Sequence, residues 1–155
     1  MTGKIAARLE ELGIELPEAN AAVGNYVPTL KSGNLIYVSG QITMLNGELK
    51  YLGRLGENLT VEDGMAAARL CGLNLIAQVR AALDGDLDRV TRVVKLGGFV
   101  NGTHEFSDQP KVINGASDLM VEVFGEAGKH TRAAVGVAAL PLGVSVEVDG
   151  IFEFE

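Results

Sequence analysis

Residues 131–155, TRAAVGVAALPLGVSVEVDGIFEFE, carry the pattern that decides the fold. From Val144 onward two kinds of side chain alternate: apolar Val144, Val146, Val148, Phe152 and Phe154, and polar Ser145, Glu147, Asp149, Glu153 and Glu155. This period of two predicts a strand from Val144 to Phe154 with one buried and one solvated face. Thr131 to Leu140 predicts a second strand. The linker Leu140-Pro141-Leu142-Gly143, with Pro at i+1 and Gly at i+3, is typical of a type I turn.

Two long amphipathic helices precede this region. Thr60 with Asp63 three residues on is an N-cap signature, and Gly85 marks the end of the first helix. Ser107 or Asp108 caps the second helix, and Gly125 and Gly128 bracket its end. Apolar residues follow helical spacing in both: Val61, Met65, Ala68, Leu75, Ile76, Val79 and Leu83 in the first, and Val112, Ile113, Ala116, Leu119, Met120, Val123, Phe124 and Ala127 in the second.

The rest of the chain predicts a short helix over residues 3–13 and four further strands. These strands are Tyr26–Lys31, Leu35–Gln41, Leu49–Leu52 after a turn at Asn46-Gly47, and Arg89–Val100. The element order predicts an α+β fold with both long helices on one face of a mixed sheet. The second sheet face, on which we place the small residues Ala134, Gly136 and Ala138, is then expected to be covered by another subunit.

Composition and charge exclude several function classes. The 155 residues suit one domain, and a formal net charge of -7 without a Lys/Arg run disfavours a nucleic-acid partner. Cys71 falls inside a helical pattern as a small buried hydrophobe, and His104 and His130 are not spaced as metal ligands. Neither a signal-peptide h-region nor an apolar run of transmembrane length occurs, so we expect a cytoplasmic protein without a membrane partner.

Two glycine pairs and one arginine are the candidates for a ligand site. Gly53/Gly56 and Gly97-Gly98 lack the remaining residues of a P-loop or dinucleotide motif, so we interpret them as turn and bulge glycines. Arg132 shares its strand side with small residues, and the gap beside its guanidinium could admit a carboxylate held by two hydrogen bonds. Equally, Arg132 could pair with an acidic residue at a subunit contact, and Glu147 could be an ordinary solvated carboxylate.

Three segments carry a resemblance to a known family: AVGNYV at 22–27, LIYVSGQ at 35–41, and RAAVGVAALP at 132–141 followed by Val146-Glu147-Val148. They resemble the YjgF/YER057c/UK114 family, also called the Rid family of enamine/imine deaminases. The resemblance runs from about residue 19 to the end of the chain. It therefore predicts one Rid-family domain over residues 19–155 and an N-terminal helical extension over residues 1–18.

The resemblance implies a chorismate-mutase-like fold, assembled as a homotrimer with ligand clefts between subunits. The implied activity is that of a 2-iminobutanoate/2-iminopropanoate deaminase: hydrolysis of reactive 2-enamines and 2-imines, such as 2-aminoacrylate, to 2-keto acids and ammonia. No metal or organic cofactor is implied, and small 2-imino and 2-keto carboxylates are the implied ligands. The implied site residues are Arg132 for the substrate carboxylate, Glu147 for the hydrolytic water, Tyr26 in the cleft wall, and Ser39, Gly40, Asn114 and Ala134 near the ligand.

One departure and two alternatives accompany the resemblance. Ala134 stands where deaminase members often have cysteine, which excludes a thiol nucleophile there. A non-catalytic trimer that binds small carboxylates and regulates a partner enzyme is the alternative function. The ribonuclease activity attributed to endoribonuclease L-PSP-like members is disfavoured by the acidic charge.

The spacing of Arg132 and Glu147 leaves one geometric question open. If the last two strands paired as a hairpin, these residues would be offset by about four positions, roughly 13 Å along the strands. Either the strands do not pair in this way, or neighbouring subunits complete the site.

Overall fold

The structure, a computed structural model, describes residues 3–155: two long helices pack on one face of a five-stranded sheet, and a short N-terminal helix packs against the second of them. The helices are α1 (Lys4–Glu11), α2 (Val61–Ala82) and α3 (Gln109–Phe124). The strands are β1 (Thr29–Ser32), β2 (Leu35–Gln41), β3 (Met44–Leu45), β4 (Glu48–Leu49), β5 (Val90–Asn101), β6 (Thr131–Val137) and β7 (Val146–Phe154). The sheet order is β1-β2-β7-β5-β6, and β3 and β4 form a separate hairpin. The predicted α+β architecture is confirmed.

The long helices begin and end where the sequence predicts. Thr60 and Asp63 form a reciprocal capping box, with Asp63 N–H donating to Thr60 Oγ1 over 3.2 Å and Thr60 N–H donating to Asp63 Oδ2 over 2.9 Å. Helix α3 begins after Asp108, whose side chain makes no capping bond, and ends at Gly125 with φ 62°. This left-handed backbone suits glycine, and it turns the chain toward β6.

The core lies between α2, α3 and the sheet. The side chains that alternate inward on β7, including Val146, Val148 and Phe152, are fully buried there. Helix α3 approaches α2 so closely that a Cβ on Gly115 would collide with the backbone carbonyl of Met65. This close contact holds α3 directly over β5 and β6, which positions the polar side chains of α3 described below.

The last two strands do not pair with each other. Strand β5 lies between them, parallel to β6 and antiparallel to β7. The linker is closed by a Gly143 N–H to Leu140 carbonyl bond of 3.2 Å, but Leu142 has φ 58°, so the predicted type I turn is wrong. The hairpin geometry considered from the sequence is therefore excluded.

Several strand predictions need correction. The first strand begins at Thr29 rather than Tyr26, and the Leu49–Leu52 prediction is replaced by the β3–β4 hairpin around Asn46-Gly47, both of which have positive φ. The predicted strand from Thr131 to Leu140 ends at Val137.

Two further placements differ from the sequence interpretation: the Gly97-Gly98 pair and Ser145. Gly97 and Gly98 lie inside β5 rather than at a turn or a bulge. A Cβ on Gly97 would collide with Asp149, and a Cβ on Gly98 would collide with Ile113, so close packing explains both glycines. The sequence pattern assigns Ser145 to the solvated face, but Ser145 is fully buried. It lies before the first residue of β7, outside the alternation of that strand, and its carbonyl accepts the Asn101 N–H at the end of β5.

The row of β6 residues containing Arg132, Ala134 and Gly136 faces the helices, not the open side of the sheet. Arg132 hydrogen-bonds to α3, and a Cβ on Gly136 would lie 2.9 Å from Gln109 Nε2. The open face instead carries partly exposed apolar side chains, among them Tyr37 and Val135, which are 43% and 46% exposed. The expected apolar open face is therefore present, but it is built by the other row of residues.

Helix α1 is held against the domain by two kinds of contact. Asp88 accepts the N–H groups of Lys4 and Ile5, each over 2.9 Å, and Arg8 Nε donates to the Glu122 carbonyl over 2.8 Å. The division at residue 18 stays a prediction. Within residues 3–155, the helices are all too short or too polar to cross a membrane.

Candidate functional site

A cavity of about 560 Å³ opens where the end of β2 and the beginning of β7 meet the N-terminal segment. Four of the predicted site residues line it: Tyr26, Ser39, Gly40 and Glu147. Its other walls are mainly apolar and comprise Ala21, Ala22, Val23, Pro28, Ile42, Met44, Pro141 and Leu142, together with Asn20 and Gln41. We call this space the Glu147 cavity. A second, shallower depression of about 610 Å³ shares Tyr26 and Ser39 with it and continues to Leu30 and Tyr37.

The cavity rim is shaped by an irregularity in β2. The register between β2 and β7 shifts between Val38 and Gln41, at Ser39-Gly40. Ser39 Oγ donates to the Val27 carbonyl over 2.7 Å, which ties the strand to the segment that carries Tyr26. Two buried amides of α2 hold the surrounding loop: Asn74 donates to the carbonyls of Ile42 and Met44, and Gln78 donates to the carbonyl of Asn20.

Glu147 is the acidic group of the cavity. It lies on the open face of β7, opposite Phe99 of β5, and is half-buried. Gly40 packs directly against it, since a Cβ there would lie 2.5 Å from Glu147 Oε2. Burial raises the pKa of the Glu147 carboxyl, and the nearby Asp149 carboxylate raises it further. A carboxyl group in this position can accept or return a proton nearer neutral pH than an exposed glutamate can.

Arg132 and Asn114 form a second group on the opposite face of the sheet. Arg132 Nη1 donates to Asn114 Oδ1 over 2.7 Å and to Ser117 Oγ over 3.0 Å, and Nη2 donates to the Pro110 carbonyl over 3.1 Å. These acceptors follow one another along α3, so the helix holds the guanidinium plane. We call Arg132 with these three acceptors the arginine cluster. Ala134 lies on the same row of β6, packed against the core.

One chain does not bring the two groups together. Arg132 points toward the helices and Glu147 toward the open face, and β5 separates their strands. Two strand spacings and three residues of register place their Cα atoms on the order of 14 Å apart. Of the predicted residues, the structure therefore collects Tyr26, Ser39, Gly40 and Glu147 in one place, and Arg132, Asn114 and Ala134 in another.

Sequence reasoning missed Ser117 of the arginine cluster and the neighbouring His130. Ser117 is the second side-chain acceptor for Arg132, and its Oγ also lies 2.8 Å from His130 Nε2. His130 Nδ1 lies 2.7 Å from the Gly128 carbonyl. A signal for Ser117 existed, since it follows Asn114 at i+3 on one helix face. His130 gave none, because its contact depends on the turn after α3.

No group of three or more His, Cys, Asp and Glu side chains in the described part of the chain, residues 3–155, is placed to hold a metal ion. The polar atoms that the two groups offer to a ligand are a carboxylate, hydroxyls and a guanidinium. Such groups bind small anions and move protons.

A mixed sheet with helices on one face, an acidic cavity beside its central strand β7 and an arginine held on its edge strand β6 places the protein in the α+β class. The family described as "YjgF/chorismate_mutase-like, putative endoribonuclease" matches residues 6–152. The chain belongs to this family, and its fold is the predicted chorismate-mutase-like fold.

Relatives and solved structures agree with this assignment. Protein TCP17 of Trypanosoma cruzi is 52% identical over 153 residues, which is 98% of this chain and 95% of that protein. A solved protein of unknown function from Agrobacterium tumefaciens is 51% identical with a TM-score of 0.91, covering 97% of this chain and 92% of the other. A more distant relative, 28% identical over 92% of this chain and 95% of its own, is the 2-iminobutanoate/2-iminopropanoate deaminase of Dermatophagoides farinae.

Proposed function

We propose that this protein is a hydrolytic deaminase that converts reactive 2-enamines and 2-imines, such as 2-aminoacrylate and its imine, to 2-keto acids and ammonia. The observation that carries the proposal is the Glu147 carboxyl, half-buried with a raised pKa at a cavity that Tyr26, Ser39 and Gly40 also line. The similarity to the Dermatophagoides farinae deaminase supports it.

Glu147 would perform the proton transfers. The enamine first takes a proton at its terminal carbon from solvent, which gives the iminium ion. A water oxygen then bonds to the electrophilic carbon while the Glu147 carboxylate accepts one water proton. The protonated Glu147 returns this proton to the carbinolamine nitrogen. The C–N bond then breaks as the hydroxyl oxygen forms the C=O bond and gives its proton to solvent, which leaves a 2-keto acid and ammonia and balances the proton taken up at the start. No electrons are gained or lost, so water is the sole co-reactant.

Arg132 would bind the substrate carboxylate. A guanidinium carries five N–H donors, and three of those on Arg132 are used within the arginine cluster. The other two, Nε–H and one Nη2–H, lack an acceptor among residues 3–155, and these two nitrogens share one edge of the group. Such an edge binds a carboxylate through two parallel hydrogen bonds. The binding also holds the imine carbon in one position for attack by water.

We further propose that the protein works as a homotrimer in which the arginine cluster of one copy meets the Glu147 cavity of the next. The partly exposed apolar side chains on the open sheet face and the unpaired outer edge of β6 support this assembly. A sedimentation measurement should give a mass near three times the 16.3 kDa of the chain.

The test generates imines in place with an amino-acid oxidase and traps them with semicarbazide. The wild-type protein should lower the semicarbazone yield. Arg132→Ala should reduce the rate roughly 10- to 100-fold, because a hydrogen bond from a charged group contributes about 1.5 to 3 kcal/mol. Glu147→Gln should reduce it on the order of 100-fold or more, the range of general acid–base catalysis.

Matched control variants come from the same strands or residue types. Arg92→Ala removes an exposed arginine of β5, and Glu153→Gln neutralises another carboxylate of β7. Both should keep the wild-type rate. If the wild-type protein leaves the semicarbazone yield unchanged with every amino acid tried, the deaminase proposal is wrong, and binding of pyruvate would then test the carboxylate-binding function alone.

A further inference from the structure

A continuous chain of hydrogen bonds leads from a backbone carbonyl to the guanidinium of Arg132. Gly128 O lies 2.7 Å from His130 Nδ1, His130 Nε2 lies 2.8 Å from Ser117 Oγ, and Ser117 Oγ lies 3.0 Å from Arg132 Nη1. The three side chains are all partly buried: Ser117 lies on α3, His130 on the segment that leads into β6, and Arg132 on β6 itself. Of the residues in this hydrogen-bonded series, only Arg132 takes a direct part in the proposed reaction.

The chemistry of the two ends determines the direction of every bond. A carbonyl oxygen only accepts, so His130 must carry its proton on Nδ1. In the neutral ring Nε2 then has a lone pair, and it accepts the hydroxyl proton of Ser117. Arginine only donates, so the Ser117 oxygen receives the Arg132 N–H. One hydroxyl thus gives its single proton to His130 and directs a lone pair at Arg132.

This arrangement determines which donors of Arg132 remain for a ligand. Ser117 and Asn114 take both protons of Nη1, and the Pro110 carbonyl takes one proton of Nη2. If the Ser117 hydroxyl rotated so that its proton faced Arg132, the Nη1 contact would be lost and the guanidinium could turn about its long side chain. The loss would fall on orientation, because the charge of Arg132 would be unchanged.

We infer that Ser117 and His130 are positioning residues for Arg132: the His130 ring, held in its Nδ1–H form by the Gly128 carbonyl, orients the Ser117 hydroxyl so that α3 presents the Nε–Nη2 edge of the guanidinium to a carboxylate. The inference deepens the proposed function and rests on it for the identity of the carboxylate. Neither residue touches the reacting atoms.

The first test needs no variant. Long-range ¹H–¹⁵N correlation spectra of the intact protein report which nitrogen of His130 is protonated. The spectra are recorded at a pH high enough that the chemical shifts of the ring nitrogens no longer change as the pH is raised. His130 is assigned by its loss in His130→Gln. The inference requires the Nδ1–H form. An Nε2–H form would overturn it, because Ser117 would then accept from His130 rather than donate to it.

The second test measures the dissociation constant of pyruvate and the separate values of KM and kcat. Ser117→Ala should raise the dissociation constant and KM by a factor of about 2 to 10, the range of one ordinary hydrogen bond, because Arg132 keeps its charge and its own bonds to the carboxylate. The value of kcat should change less, because the carboxylate is held equally in the ground and transition states. Ser117→Thr, which keeps the hydroxyl, should restore most of the binding.

The His130 variants extend this comparison. His130→Ala should weaken pyruvate binding as much as Ser117→Ala does, and the double variant should be no worse than either single variant, because both break one chain of bonds. His130→Gln, whose amide oxygen can accept the Ser117 proton, should recover part of the affinity. The exposed residues Ser107 and His104 supply the matched controls Ser107→Ala and His104→Ala, which should leave both constants unchanged.

The outcomes separate this inference from the proposed function. If the wild-type protein binds pyruvate with the expected dependence on Ser117 and His130 but turns over no imine, the deaminase proposal fails and the positioning role stands. If it turns over imines and Ser117→Ala and His130→Ala have wild-type KM and pyruvate affinity, the positioning role is refuted and the deaminase proposal stands. Thermal unfolding of each variant shows that the comparison is made between folded proteins.

Discussion

The substitution Gly40→Ala should separate the chemistry of the Glu147 cavity from the stability of the fold. A Cβ at Gly40 would lie 2.5 Å from Glu147 Oε2 and 2.9 Å from Cδ, against an ordinary contact distance of 3.4 Å or more. Gly40 does not have positive φ, so alanine adopts its backbone without strain. The Glu147 carboxylate must therefore move by about 1 Å, and a misplacement of that size costs on the order of 100-fold in rate.

The effect on stability should be small. The atoms that meet the new methyl group belong to the end of a flexible side chain, and Gly40 is exposed. We expect the free energy of unfolding to change by about 0.5 kcal/mol or less. Calorimetry and the semicarbazide assay measure the two quantities on the same sample. The control is Gly102→Ala, whose methyl group would have carbon atoms of Phe106 as its nearest neighbours, at 3.2 to 3.4 Å.

A double-mutant cycle tests whether Gly40 acts through Glu147. In a Glu147→Gln background, Gly40→Ala should cause little further loss, because the displaced group is already inactive. A Gly40→Ala variant that folds normally and keeps the wild-type kcat/KM would refute the displacement of the Glu147 carboxylate as the cause of the loss. The same conclusion would follow if the fold losses in kcat/KM of the two single variants multiplied in the double variant, since Gly40 would then act independently of the carboxylate.

Two further predictions concern pH. Burial, and then the Asp149 carboxylate, raise the pKa of Glu147, so the acid limb of the pH profile of kcat/KM should lie above 4.5, the ordinary pKa of a glutamate. Asp149→Asn should move this limb to lower pH. An unmoved limb would contradict the influence of Asp149 on Glu147. Hydrogen bonds from the Ile5 and Lys4 N–H groups lower the pKa of Asp88, so its stabilisation of α1 is present above the unfolded-state pKa and is lost as pH falls through the folded value. Asp88→Ala should therefore speed amide exchange in α1 at neutral pH, and the difference from wild type should vanish in acid; a difference that persists at low pH would argue against the carboxylate as its cause.

The parts of the fold that the sequence predicts are those decided by neighbouring residues. The capping box of Thr60 and Asp63, the alternation along β7 and the turn at Asn46-Gly47 are all local, and each is found in the structure. Strand order is decided by long-range packing. Nothing between Thr131 and Phe154 indicates that β5, which comes earlier in the chain, inserts between the last two strands.

The site shows the same division between local and long-range information. Glu147 and Gly40 come together only because β2 and β7 are neighbours with a register shift at that point. The resemblance of three short segments to a family indicated both residues, whereas periodicity alone assigned Glu147 to a solvated face. The side to which Arg132 points was wrong in the sequence interpretation, because α3 supplies three acceptors for its guanidinium that β6 does not reveal.

The separation of the two groups constrains how the proposed reaction can occur. Each chain holds a cation oriented by α3 on one sheet face and a carboxylate with a raised pKa on the other. Opposite faces of one sheet cannot close on one small imine, so in the proposed reaction the Arg132 and Glu147 that act together would come from different copies. A contact between two different faces is head-to-tail, and such contacts give a closed ring when the rotation between copies divides a full turn. A threefold ring would make three equivalent clefts and leave no unused half-site, whereas a dissociated chain would retain both halves and catalyse nothing. A mixture of Arg132→Ala and Glu147→Gln chains, unfolded and refolded together, should then recover part of the activity that each variant lacks, because some clefts receive an intact arginine and an intact glutamate. No recovery in mixed trimers would place both residues in a site built by one chain, contrary to the geometry.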